Sequence, residues 1–119
     1  MKKENKTLII ILAGKETHEG MGRLANALVM AKELHEAGHT VKIVFDGAGT
    51  EWVPEITKDG SHFYKMYNEL QDLVVGACDF CASAFKAKEN IKDVKLLSEV
   101  MGHPSFKGYV EEGYMIVTF

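Results

Sequence analysis

Cys78 and Cys81 are the only thiols of the chain, and they enclose Asp79-Phe80 in a Cys-x-x-Cys spacing. A cysteine acts as nucleophile or metal ligand through its thiolate, so its surroundings decide what it can do. The pair follows Leu73-Val74-Val75-Gly76-Ala77, an apolar run that reads as a buried strand. It precedes Ala82 to Glu89, which reads as a helix. A thiol at that junction lies at the carboxyl edge of a strand and beside the first turn of a helix. Free N–H groups and the helix dipole favour thiolate there, and open α/β sheets bind ligands along the same edge. With Asp79 as N-cap, Cys78 is expected to be the accessible nucleophile and Cys81 the shielded thiol. The Asp79 carboxylate opposes ionisation of Cys78, whereas Lys86 favours it.

Such a pair suits a reactive thiol with an auxiliary partner, a dithiol redox couple, or half of a zinc site completed by His62 or His103. Two inert cysteines packed as small hydrophobes are the plain alternative. His18, in the first loop, and His103, before the last helix, are candidates to approach Cys78 and favour its thiolate; a structural role is the usual fate of such histidines. Asp46, Gly47 and Gly49 end the second strand in a turn whose glycines permit positive φ. Trp52 then either walls a pocket on that edge or covers the sheet as a core aromatic. Gly14 opens the first loop.

Gly20-Met21-Gly22-Arg23-Leu24-Ala25 has the spacing of a dinucleotide fingerprint, with Asp46 where a ribose-binding acid would stand. Gly14 to Glu19 separate it from the strand, and Glu16 and Glu19 would repel a pyrophosphate. It reads instead as a loop entering a helix with room for an anion. Gly14-Lys15 lacks the glycine spacing of a P-loop. No bound cofactor and no metal ion are expected.

The elements that must hold these residues follow from periodicity. Thr7 to Ala13 contains Leu8-Ile9-Ile10-Ile11-Leu12, continuously apolar as a parallel strand covered on both faces would be. Leu24, Ala25, Leu28, Val29, Ala31 and Leu34 give a helical stripe over about 21–37, with Gly38 as an αL cap. Thr40 to Phe45 is a second strand. Pro54 suits the first turn of a short helix opened by Glu51-Trp52-Val53, and His62 to Leu70 is a further helix. Val94 to Leu97 is a fourth strand or an irregular connection. Ser105 would cap a helix running to about Glu112, and Tyr114 to Phe119 would close the chain as a buried strand. This alternation predicts an α/β fold of three layers, with about five mostly parallel strands flanked by helices.

The 119 residues fit a single domain spanning 1–119, and 46% hydrophobic with 26% charged residues is ordinary for a globular protein. A formal net charge of −3 gives no electrostatic case for nucleic acid or anionic lipid as partner. The basic start, Met1-Lys2-Lys3, precedes an apolar run too short for a signal peptide, and no stretch approaches a membrane span. Two cysteines form no disulfide framework. A cytoplasmic location is expected.

The residues together resemble the DsrE/DsrF-like family of small α/β proteins, which includes sulfur-relay subunits and YchN-like proteins. The likeness lies in Ala31 to His39, Phe45-Asp46-Gly47-Ala48-Gly49-Thr50-Glu51-Trp52, Ala77-Cys78-Asp79-Phe80-Cys81-Ala82, Gly102-His103-Pro104 and Glu112 to Phe119. It implies a five-stranded, largely parallel sheet, homo- or hetero-oligomers with a trimer or a multiple of it favoured, and sulfur carried as a persulfide on a cysteine after the third strand. Cys78 matches that cysteine, and Cys81 matches the second cysteine of the YchN-like members. Lys86 stands where the family often has glycine. The implied function is a sulfur carrier or sulfurtransferase-like protein exchanging sulfur with donor and acceptor proteins or small persulfides. The alternatives are a small-molecule-binding or oligomeric regulatory domain with structural cysteines, and a dithiol oxidoreductase.

Overall fold

In the computed structural model, which describes residues 3–119, the strands are β1 (Lys6–Ile11), β2 (Thr40–Phe45), β3 (Val74–Cys78), β4 (Leu96–Leu97) and β5 (Met115–Thr118). Met1 and Lys2 of the basic start lie outside the described residues. The strands form one sheet in the order β4-β3-β2-β1-β5, and every neighbouring pair is parallel. β1 lies between β2 and β5, with Ile9 registered against Ile43 of β2 and Val117 of β5. Its unbroken apolar run is explained by period-two geometry: Leu8 and Ile10 enter one core cluster, Ile9 and Ile11 the other.

Helices α1 (His18–Glu36), α2 (Val53–Ile56), α3 (Tyr64–Leu70), α4 (Asp79–Ala84) and α5 (Lys107–Glu111) connect the strands. From β1 to β3 the chain steps towards one edge, and right-handed crossovers put α1, α2 and α3 on a single face. Leu24, Ala27, Leu28 and Ala31 of α1 pack there with Val53, Ile56, Tyr67 and Leu70 against Ile9, Ile43 and Phe45. The return from β4 to β5 lies on the opposite face, where Phe106 and Tyr109 cover Leu8, Ile10, Val44 and Leu97. Thr17 caps α1 by accepting from the Gly20 N–H at 2.9 Å, and Gly38 leaves the helix at φ +90°. The glycine-spaced stretch Gly20 to Ala25 is therefore inside a helix and offers no free N–H cradle for a pyrophosphate.

Four expectations are corrected. β5 is not buried: it is the outer strand beside β1, and Met115 and Ile116 are 62% and 37% exposed. Ser105 does not cap the last helix, because its N–H donates to Glu99 Oε1 at 3.2 Å and α5 starts only at Lys107. α4 ends at Ala84 rather than continuing to Glu89, and Lys86 then turns the chain at φ +60°. In the turn after β2, Gly47 alone has positive φ, +52°. Gly49 is required for a different reason: a Cβ there would strike the carbonyl group of Ile11.

Candidate active site around Cys78

The carboxyl ends of β2 and β3 are neighbours in the sheet, so Asp46 and Cys78 emerge side by side. Asp46 is pinned by its N–H to Ile11 O at 2.9 Å, and its Oδ1 accepts from the Gly47 N–H at 2.7 Å. Cys78 is both the last residue of β3 and the N-cap of α4, with its Sγ accepting from the Cys81 N–H at 3.4 Å. His103 arrives on a two-residue turn in which Met101 and Gly102 have φ of +53° and +86°, the sign pattern of a type I′ hairpin. Val100 and His103 exchange both backbone hydrogen bonds at 2.8 Å, and the Phe80 N–H donates to Gly102 O at 2.8 Å. This last bond ties the turn to the start of α4 and sets His103 Nδ1 3.2 Å from Cys78 Sγ. The Phe80 ring lies 4.8 Å from the imidazole, tilted by 35°. One donor atom from each of Asp46, Cys78, Cys81 and His103 lies within 4.8 Å of the other three.

The exposure of the two thiols is the reverse of that expected from the sequence. Cys78 is fully buried and Cys81 half-buried. The cap is Cys78 rather than Asp79, so the Cys78 side chain folds back over the first turn. Asp79 instead pairs with Lys88 at 2.9 Å. Iodoacetamide should therefore label Cys81 before Cys78 in native, reduced protein, with both labelling at similar rates in urea. Peptide mapping of a short time course reads the order, and equal native rates would contradict this burial.

Burial also overturns the expected ease of ionisation. Loss of solvent pushes the Cys78 thiol up to about 12, outweighing the lowering by the Cys81 N–H, and the Asp46 and Cys81 charges add to the rise. α4 has only six residues, too short for its dipole to reverse this. Tyr67 and Tyr109 are likewise raised, chiefly by burial. Groups harder to ionise in the fold than in the unfolded chain add stability below their unfolded values, and lose it as pH rises through the folded ones. For Cys78 that window runs from the ordinary 9.0 to about 12. Urea unfolding at stepped pH should show stability falling steadily across it, and a Cys78→Ala variant should lose less over the same range.

Of the other residues singled out by sequence, Gly47 borders the cluster only as the residue whose N–H holds Asp46. Gly14 lines a separate cavity with Thr17, Ala48 and Glu51, and His18 is exposed at the start of α1. Trp52 is a core aromatic: it is 7% exposed, donates to Ala13 O at 2.9 Å and meets Phe63 edge-on. His62 meets Phe63 edge-on and lies outside the cysteine cluster. Asp46 was legible as a pocket residue, but its place against Cys78 was not. The signal was available: neighbouring parallel strands that end at one edge bring their last residues together.

Beside the cluster a cavity of about 700 Å³ is lined by Asp46, Phe80, Met101, His103, Pro104 and Phe106, among others. No helix among the described residues is long and apolar enough to cross a membrane.

An all-parallel five-stranded sheet with flanking helices defines an α/β fold, and a buried thiol ends its third strand 3.2 Å from an imidazole. The chain belongs to the DsrE/DsrF-like family, whose model matches residues 6–119. An uncharacterized protein of Methanocaldococcus jannaschii is 37% identical to it over 99 residues, which is 79% of this chain and 78% of the relative. No solved structure matches the chain significantly.

Proposed function

We propose that this protein is a sulfur carrier that takes up sulfane sulfur on Cys78, with Cys81 as auxiliary thiol. The observation that carries this reading is the 3.2 Å contact between Cys78 Sγ and His103 Nδ1 beside a cavity large enough for a small persulfide or an inserted cysteine. Family membership supports it, since sulfur-relay proteins belong to the same family. A buried thiol needs a local base, and the imidazole is in place to take its proton. The Cys78 thiolate then attacks the outer sulfur of a donor persulfide. A Cys78–S bond forms, the donor S–S bond breaks, and the donor leaves as a thiol once it regains a proton. Discharge to an acceptor thiolate is the same exchange in reverse. Phe80, 57% exposed, packs on the imidazole and lines the cavity beside it.

Cys81 can end the cycle differently. Attack of its thiolate on the inner sulfur of the Cys78 persulfide gives a Cys78–Cys81 disulfide and releases sulfide. The exposed β5, with its outer edge unpaired and Met115 and Ile116 facing solvent, supports assembly of copies into a homo-oligomer, as the family resemblance implies. The protein would then work in the cytoplasm with donor and acceptor proteins or small persulfides.

The burial of Cys78 favours one competing reading, a binding or regulatory domain with inert cysteines. Intact-mass spectrometry after incubation with glutathione persulfide separates the two. The carrier gains one sulfur atom, reversible by dithiothreitol and mapped to the peptide bearing Cys78; a chain that gains none is the inert domain.

A further inference from the structure

We propose that Asp46, Cys78, Cys81 and His103 form a tetrahedral site for a soft or borderline divalent cation, zinc above all, and that its occupancy shuts off sulfur uptake. The sequence alone offered half of such a site, and the fold supplies the other half from two further segments. The donor set is two sulfurs, one imidazole nitrogen and one carboxylate oxygen, all within 4.8 Å of each other. Around zinc, with bonds of about 2.0–2.3 Å, neighbouring ligand atoms stand roughly 3.3–3.8 Å apart. The 3.2 Å Sγ–Nδ1 contact and the 4.8 Å limit bracket that range, so rotamer adjustments of about 1 Å or less close the shell.

Each ligand is held by backbone structure that does not depend on the ion. Asp46 is fixed by the Ile11 carbonyl and the Gly47 N–H, Cys78 and Cys81 by the cap and first turn of α4, and His103 by the paired turn bonded to Phe80. Mixed sulfur and nitrogen donors select zinc or cobalt over magnesium or calcium, which prefer oxygen. Binding expels the two thiol protons to solvent and leaves two thiolates, a carboxylate and a neutral imidazole on a dication. Both sulfurs are then engaged with the metal, which draws charge off the Cys78 thiolate and lowers its reactivity towards an incoming persulfide. The site itself depends only on the four donor atoms; the block on sulfur uptake rests in addition on Cys78 being the carrier.

Cobalt(II) tests the site directly. Anaerobic titration of reduced protein should give the strong visible bands of tetrahedral cobalt and a sulfur-to-metal charge-transfer band, saturating at one ion per chain and displaced by zinc. Asp46→Asn, Cys81→Ser and His103→Ala should each weaken binding at least 10-fold, a ligand being worth no less than its supporting shell. His62→Ala should leave it unchanged. Weak octahedral spectra, or a titration insensitive to Asp46 and His103, would overturn the site. The block is read separately, by mass gain from glutathione persulfide with and without stoichiometric zinc. Uptake in metal-free protein that zinc suppresses and a chelator restores is the expected result, and uptake indifferent to bound zinc refutes the block. Tetrahedral cobalt with no sulfur uptake under any condition refutes the carrier reading and leaves the metal site standing.

Discussion

Replacing Cys78 by serine should abolish the persulfide mass gain, whereas Cys81→Ser should retain it. The serine hydroxyl is nearly the size of the thiol and keeps partners in the Cys81 N–H and His103 Nδ1, so the fold survives and the loss is chemical. Cys81→Ser removes only the auxiliary thiol. That variant should hold its sulfur longer, because no second thiolate remains to expel sulfide and close a disulfide. His103→Ala should slow uptake at neutral pH by about 100-fold or more, the usual effect of losing a positioned base. The deficit should narrow as pH is raised and hydroxide takes the proton instead. Retention of sulfur by Cys78→Ser, mapped to Cys81, would assign the carrier to the wrong thiol.

Gly49→Ala should be the most damaging single-methyl change near the site. A Cβ at this position meets the carbonyl oxygen and carbon of Ile11, at the end of the interior strand β1, with no flexible side chain to yield. That carbonyl also accepts from the Asp46 N–H, so relieving the clash loosens the end of β2 and the carboxylate it presents. Overpacking of a rigid site costs about 2–3 kcal/mol, or roughly 10 °C in Tm for a chain of this size. Gly22→Ala is the contrast: it is exposed within α1, nothing lies within 4 Å of its added carbon, and helix propensity favours alanine. It should stabilise by up to about 1 kcal/mol. Thermal unfolding of both variants checks the pair, and equal effects would show that the Ile11 contact is not limiting.

The fold was legible where pattern and burial agree. β1 is apolar without a break from Leu8 to Ile11, β2 is apolar apart from Thr40 and Lys42, α1 carries its stripe and its Gly38 stop signal, and the alternation of elements implied parallel pairing. What failed was set by tertiary context. Tyr114 to Phe119 has the apolar content of a core strand, but whether such a strand is inner or outer depends on strand order, which no local pattern encodes. Cys78 and Asp79 compete for one capping position, and composition favours aspartate; the short α4 is instead capped by the thiol, which reverses which sulfur is covered. The cysteines and His103 were legible as chemistry. Their meeting with Asp46 was not, because it follows from β2 and β3 being neighbours and from a turn of left-handed residues at Met101 and Gly102.

His103 stands 25 positions after Cys78. A chain cut anywhere between the two therefore carries both thiols and no imidazole. In such a fragment they are ordinary, solvent-washed cysteines, open to glutathione or to bridging. A truncated product would display sulfhydryls with none of the selectivity of the whole molecule.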